Sequence, residues 1–316
     1  MQVLPDFVKA QGADLYTIDT GFERPRFDAA YLIVDGGHAA FVDTGTNHAV
    51  PRLLAALRAL GLDAGAVDWV IPTHVHLDHA GGAGLLMQSL PHARMAVHPR
   101  GQRHMVDPSA LYAGATAVYG EAEMARSYGV PLGVDAARVM VTADGMTLTL
   151  GERVLEFIDT PGHARHHHCI WDQRTRTWFT GDTFGLSYPE LVNARGRWVT
   201  PTSAPVQFDP EPLKASVARL LAREPAALCV THFGRVPNAP HLGPLLLAQI
   251  DEMATIGERL RGAEQRHAKL CDALRTMYRH RLTEHGFSDV ECKLELLAMD
   301  VEINAQGMAS WLDRGS

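Results

Sequence analysis

The apolar positions of this chain alternate between two rhythms. "AYLIVDGG" (Ala30–Gly37) and "HAAFVDTG" (His38–Gly45) are short β-branched and aromatic runs around a Gly-Gly pair, which predicts a β-hairpin. In "AVPRLLAALRALGL" (Ala49–Leu62) apolar residues recur at helical spacing, so a helix is expected to stop near Gly61. "VDWVIPTH" (Val67–His74) reads as a buried strand, "AGGAGLLMQSL" (Ala80–Leu90) opens a helix, and "ARMAVH" (Ala93–His98) returns as a strand. Residues 107–133 form an insertion, containing Tyr and Ala, that is predicted to be helical. Arg138–His163 reads as successive strands with Asp-Gly and Leu-Gly turns. "HCIWD", "TWFTGDTFG" and "ALCVTHFG" then repeat one pattern, a strand followed by a polar loop. From about Leu245 the chain becomes long, charged and helical. The expected organisation is an α/β catalytic domain over 1–244 and a helical C-terminal extension over 245–316.

Composition narrows the function classes. Hydrophobic residues make up 46% and charged ones 21%, enough for a large core in 316 residues. The net charge of −7 argues against nucleic acid or an anionic membrane as partner, so a small-molecule substrate is expected. No apolar run approaches the roughly 18 residues of a membrane span. The N-terminus lacks the basic-then-apolar order of a secretory signal. Cys169, Cys229, Cys271 and Cys292 lie far apart without C-x-x-C pairing, which reads as reduced thiols in a cytoplasmic protein.

Histidine is the outlier: 17 residues, many of them where a predicted strand gives way to a loop. "THVHLDHAGG" (Thr73–Gly82) places His74, His76, Asp78 and His79 within six residues. On extended chain, residues i and i+2 point the same way, so His74 and His76 can grip one ion; on a helix they would diverge. Four such short-range donors crowd a single tetrahedral ion that also needs an open position. The economical division puts His74 and His76 on one ion and Asp78 and His79 on a second. Other strand ends offer the remaining donors: His163 of "DTPGH", Asp182 of "TGDT" and His232 of "VTHFG". A carboxylate can bridge two metals.

Taken together, "THVHLDHAGG", "TPGH", "FTGDTFG", "THFG" and the early "VDTG" (Val42–Gly45) resemble the metallo-β-lactamase-fold superfamily, over about Tyr31 to Gly234. The resemblance implies an αββα sandwich with the site at the sheet edges. It further implies that His74, His76 and His163 ligate one metal, that Asp78, His79 and His232 ligate the other, and that Asp182 bridges them. Asp43 would orient a ligand from behind. The cofactor expected is two divalent ions, zinc first, with iron or manganese as alternatives. Metal-activated water would attack a thioester, lactone or other small ester, with Asp78 orienting the water or taking its proton.

Within the superfamily the "DTPGHxxxH" and "FTGDTFG" pattern is most similar to the glyoxalase II branch, which hydrolyses thioesters. There a polar residue follows the PGH histidine by four, which makes His167 the supporting residue and leaves His166 and His168 facing solvent or a hydrogen-bonded edge. The basic cluster that such enzymes use to grip glutathione is not recognisable here, and the insertion at 107–133 is expected to roof the site. Tyr188 in "GLSYPEL" matches a tyrosine that polarises the carbonyl in lactonases of the superfamily; a packed loop tyrosine is the plainer reading. Alternatives are a mononuclear iron persulfide dioxygenase, a nuclease or phosphodiesterase, and a metal-holding sensor without catalysis. The C-terminal helices either pack on the core or pair in a homodimer.

Overall fold

The computed structural model describes residues 3–237 and 239–314. The chain forms two compact units. The first takes residues up to Asp159, His166–Gly181 and Ala226–Arg235; the second takes Thr160–Arg165, Asp182–Pro225 and the chain from Val236 onward.

The first unit contains a seven-stranded sheet in the order β1 (Val8–Gly12), β2 (Leu15–Asp19), β3 (Ala29–Asp35), β4 (His38–Val42), β5 (Val67–Ile71), β6 (Arg94–Val97) and β7 (Val139–Val141). β1 to β4 pair antiparallel, and β4 to β7 pair parallel. The hairpin expected from the sequence is β3–β4, with Asp35 opposite His38. Its two turn residues, Gly36 and Gly37, have φ of 58° and 88°, the left-handed pair that a tight hairpin needs and glycine adopts without strain. Parallel pairing requires crossovers. These are α1 (Val50–Ala59), then α2 (Leu77–Ala80) with α3 (Ala83–Ser89), then α4 (Gln102–Val106), α5 (Ser109–Tyr119) and α6 (Glu121–Glu123). The last two, followed by a π-helical turn over Met124–Tyr128, are the helical insertion that the sequence pattern places at 107–133.

A second sheet runs β8 (Thr147–Leu150), β9 (Arg153–Asp159), β10 (His168–Asp172), β11 (Thr177–Gly181), β14 (Ala227–Val230) and β15 (Gly234–Pro237). The period-two alternation of side chains explains why β3 and β4 are apolar except at the hairpin turn, where Asp35 and His38 stand. Ala30, Leu32 and Phe41 pack with Val50, Leu53, Ala56 and Leu57 of α1 on one face. Tyr31, Ile33, Ala40 and Val42 pack on the other face with Leu155, Phe157, Ile170 and Phe179 of the second sheet. Both faces are covered, so the strands cannot alternate polar with apolar.

The second unit holds the short hairpin β12 (Val192–Asn193) and β13 (Gly196–Arg197), then α7 (Pro210–Leu221), α8 (Ala239–Leu260), α9 (Arg266–Glu284), α10 (Val290–Leu296) and α11 (Ala298–Arg314). α8 runs continuously through positions 244 and 245. A buried polar network ties the loop before α7 to the last helix. Asn304 Oδ1 accepts from Ser203 N at 2.7 Å, while its Nδ2 donates to Pro201 O at 3.0 Å and to Tyr278 Oη at 2.8 Å. Among the described residues no helix is long and apolar enough to cross a membrane.

Candidate metal centre

The motif histidines owe their direction to the end of β5. Beyond Ile71 the chain bends at Thr73 and His74, His76 is extended (φ −64°, ψ 150°), and α2 begins at the next residue. The two rings come together as the sequence predicts, although through a bend rather than a continued strand: His74 Nε2 and His76 Nδ1 are 2.8 Å apart and the rings meet edge-on at 4.4 Å. One turn of α2 then delivers Asp78 and His79. Asp78, His79 and His232, the last arriving just after β14, offer ligand atoms that all lie within 4.8 Å of one another. His79 Nε2 is 3.5 Å and His232 Nε2 3.6 Å from Asp78 Oδ2. These sequence-predicted residues come together within the first unit.

Asp43 sits behind them. Its φ of 56° is unusual for a non-glycine residue and costs about 1 kcal/mol, a distortion that its hydrogen bonds hold in place. Oδ1 accepts from Thr73 N at 2.7 Å, and Oδ2 accepts from His79 Nδ1 at 2.9 Å and from Thr231 Oγ1 at 2.9 Å. Thr73 Oγ1 also donates to this carboxylate, at 3.0 Å, and lies 3.2 Å from His74 Nδ1. Thr73 and Thr231 are site residues that the sequence analysis missed.

A tautomer pattern follows. A carboxylate or carbonyl oxygen can only accept, so a ring nitrogen bonded to one carries the proton and the other nitrogen keeps its lone pair. His79 Nδ1 faces Asp43, and His232 Nδ1 faces Phe27 O at 3.3 Å. In the second unit His163 Nδ1 faces Thr202 O at 3.1 Å, while its Nε2 lies 3.2 Å from Asp182 Oδ2. With Thr73 hydroxyl committed as donor to Asp43, His74 Nδ1 is the donor to Thr73. His74, His79 and His232 thus present Nε2 lone pairs, whereas both nitrogens of His163 face oxygens that only accept, Thr202 O and the Asp182 carboxylate. Neutral imidazoles beside aspartates are a donor set suited to zinc, iron or manganese, so the residues present fit a divalent metal.

His167 is buried, its ring stacked on His74 at 4.8 Å, and a Cβ on Gly181 would fall 2.5 Å from its Nε2 and from Thr73 Oγ1. Only glycine, here at φ 46°, lets the end of β11 pass this close. The placement expected for its neighbours needs correction. Neither His166 nor His168 faces solvent: both are buried. His166 stacks over His74 at 6.0 Å and meets His76 edge-on at 5.3 Å, because the chain is in a turn there and strand alternation starts only at His168. His168 does occupy a hydrogen-bonded edge, 2.9 Å from both Thr142 Oγ1 and Pro72 O. Burial, with His98 adding, lowers its pKa to about 3, so it is neutral.

Tyr188 is buried, and its hydroxyl donates to Asp300 Oδ1 at 3.2 Å within the second unit. The insertion contributes rings that the sequence pattern did not single out. Tyr119 and Tyr128 stack at 5.7 Å, Tyr128 meets Phe22 at 5.2 Å, Phe22 meets Phe27 at 5.9 Å, and Phe27 lies edge-on to His232 at 5.6 Å. Burial first, and the Asp78 carboxylate second, push the Tyr119 hydroxyl up to about 12 and that of Tyr128 higher still. Both hydroxyls of the insertion therefore lie within electrostatic range of Asp78.

Known proteins share this fold. Residues 24–232 match the model of the metallo-beta-lactamase superfamily. The chain is 26% identical over 213 residues to the uncharacterized protein YobT of Bacillus subtilis, covering 66% of this chain and 84% of that one. It is 31% identical over 252 residues to a hydroxyacylglutathione hydrolase of Acidiphilium cryptum, covering 78% and 82%. Among solved structures, the archaeal metallo-beta-lactamase superfamily protein ST1585 from Sulfolobus tokodaii superposes with a TM-score of 0.66 at 22% identity, covering 96% and 98%. The shared fold is the αββα sandwich with, in this chain, a helical C-terminal region. The chain belongs to the metallo-β-lactamase superfamily, whose members are mostly metal-dependent hydrolases.

Proposed function

We propose that this chain is a hydrolase of thioesters, or of related small esters such as lactones, working with two divalent ions. The observation that carries the reading is the common tautomer of His74, His79 and His232, each with Nδ1 tied back and Nε2 presented. Asp78, His79 and His232 are assigned to one ion, their ligand atoms lying within 4.8 Å of one another; the family resemblance assigns His74, His76 and His163 to the other and Asp182 to both. Chain continuity supports the joining of His163 and Asp182 to the rest. Asp182 directly follows Gly181, whose backbone abuts Thr73, and its Cα is about 3.8 Å further on. His163 precedes His166, stacked over His74, by three residues, a reach of at most roughly 11 Å.

Two such ions, when bound, lower the pKa of a water molecule and polarise a carbonyl oxygen. The chain's own residues do the rest. Asp78 has 23% of its side chain exposed, against 0% and 9% for His79 and His232, so it is the donor open to solvent and is assigned to orient the water and take its proton. The row Phe22, Phe27, Tyr128 and Tyr119 gives the acyl group an apolar wall. Tyr188, with its hydroxyl on Asp300, is assigned to packing. The thioester preference is supported by the 31% identical relative named as a hydroxyacylglutathione hydrolase.

The test is metal quantification on protein from its native host, followed by a panel of glutathione and non-glutathione thioesters, lactones and phosphodiesters. Two metals per chain with metal-dependent thioester or lactone hydrolysis is expected. Oxygen uptake with a persulfide on a single iron, or turnover of phosphodiesters alone, overturns the reading.

A further inference from the structure

Away from the histidine cluster, α9 and α11 bring together an imidazole, a thiol and a carboxylate. His267 and Cys271 are one turn apart on α9 and so share a face, and Glu302 reaches them from α11. His267 Nε2 is 2.7 Å from Glu302 Oε1, Cys271 Sγ is 3.7 Å from His267 Nε2, and Cys271 Sγ is 3.6 Å from Glu302 Oε2. We propose that His267, Cys271 and Glu302 form a second, structural metal site for zinc or a similar borderline-soft divalent cation, clipping the start of α9 to α11.

A tetrahedral zinc demands definite spacings between its ligand atoms. Bonds of about 2.0–2.1 Å to nitrogen or oxygen and about 2.3 Å to sulfur give ligand-to-ligand edges near 3.6 Å for N–S and S–O, and near 3.4 Å for N–O. Both sulfur edges are already at these lengths. The imidazole meets the other carboxylate oxygen, Oε1, at hydrogen-bond length, so coordination through Oε2 requires a rotation of the exposed Glu302 that moves Oε1 off His267 Nε2. A thiolate and a carboxylate balance the double charge of the ion, and water from the exposed side completes four-coordination. A sulfur donor favours zinc over magnesium or calcium.

The local structure gives such a clip a purpose. α9 begins at Gln265 in a left-handed conformation with no capping side chain, and its first buried residue is Leu270. Polar contacts hold that first turn: Arg266 with Arg261 O at 3.2 Å and with Asp313 at 2.7 Å, and His267 with Glu302. Replacing the second by coordinate bonds would fix the helix start where it now depends on exposed ion pairs, which contribute little.

The readout is independent of the hydrolase reading, because none of the donors assigned to the catalytic ions contains sulfur. Full-length protein is titrated with cobalt(II) and followed by near-ultraviolet absorption. A thiolate-to-cobalt charge-transfer band is expected, displaced by zinc, lost in Cys271→Ser and His267→Ala, and unchanged in Cys292→Ser and Asp182→Ala. Zinc affinity at this site falls roughly 100-fold or more in Cys271→Ser, whose far-ultraviolet circular dichroism matches wild type. As a second measurement without substitutions, zinc slows alkylation of Cys271, located by peptide mass spectrometry. Absence of the band from wild type, its survival in Cys271→Ser, or alkylation of Cys271 indifferent to zinc overturns the proposal.

Discussion

Replacing Asp43 by asparagine separates the two things that this residue does. Its oxygens meet obligate donors on both sides, the Thr73 amide at Oδ1 and His79 Nδ1 at Oδ2. An asparagine amide must place its NH2 against one of them. Against the Thr73 backbone N–H there is no escape, because that donor cannot change. Against His79 there is one: the imidazole moves its proton to Nε2 and accepts at Nδ1. The variant then keeps its fold but turns a protonated Nε2 toward Asp78, where a lone pair is needed. Loss of such a supporting hydrogen bond costs 10–100-fold in metal affinity, or about 1.4–2.7 kcal/mol. Alanine is less informative. It strands buried donors on Thr73, His79 and Thr231 at about 1–3 kcal/mol each, a total comparable to a domain's whole stability. The assay is zinc affinity of Asp43→Asn by competition with a chromophoric chelator, with melting temperature measured with and without zinc. Affinity within twofold of wild type, or a loss that merely follows unfolding of the metal-free protein, would refute the tautomer argument.

On the proposed two-metal reading, Asp182→Ala should reduce the bound metal from two ions to one or none and bring hydrolysis to background; plasma emission showing both ions retained would sink the bridging role. Tyr188→Phe removes one buried hydrogen bond to Asp300 and should cost about 1–2 kcal/mol in urea unfolding with kcat unchanged. A tenfold fall in lactone turnover at unchanged stability would instead give that hydroxyl a part in catalysis. His168 supplies a pH test. Its folded pKa of about 3 lies below the unfolded value of 6.5, so from 6.5 downward only the unfolded chain takes the proton and stability is lost as pH falls. At pH 5 the loss is about 2 kcal/mol, and His168→Asn should flatten the difference between urea midpoints at pH 7 and pH 5. Equal slopes in the two proteins would contradict a neutral buried imidazole.

What could be read before the structure depended on how local the cause was. The β3–β4 hairpin and α1 are written in adjacent residues, a glycine pair with left-handed φ and an apolar stripe at helical spacing. The histidine motif was legible for the same reason, since a short bend after β5 followed by one helical turn distributes its four donors within six residues of sequence. Thr231 was not, because its hydroxyl meets Asp43 across 188 positions of sequence and no periodicity marks such a threonine. The misplacement of His166 has a definite cause: alternation was extended two residues too far back, into a turn. Phe22, Phe27, Tyr119 and Tyr128 escaped notice because rings in loops and in a helical insertion carry no pattern that separates a pocket wall from ordinary packing.

Asp43 also bears on the order in which the ions should bind. It reaches His79 directly and His74 only through the Thr73 hydroxyl, so one carboxylate supports a donor in each candidate ligand group. A carboxylate on Nδ1 raises the basicity of the opposite nitrogen more than a hydroxyl does. The other histidines tied by main-chain carbonyls, His163 and His232, have weaker support. The metal held by Asp78, His79 and His232 should therefore depend more steeply on Asp43 than its neighbour does. In a stepwise chelator titration, Asp43→Asn is expected to shift the step belonging to that group by the full 10–100-fold and the other by less. Equal shifts in both steps would mean that Asp43 acts on the two ions through the shared Asp182 or through the fold at large, rather than ring by ring.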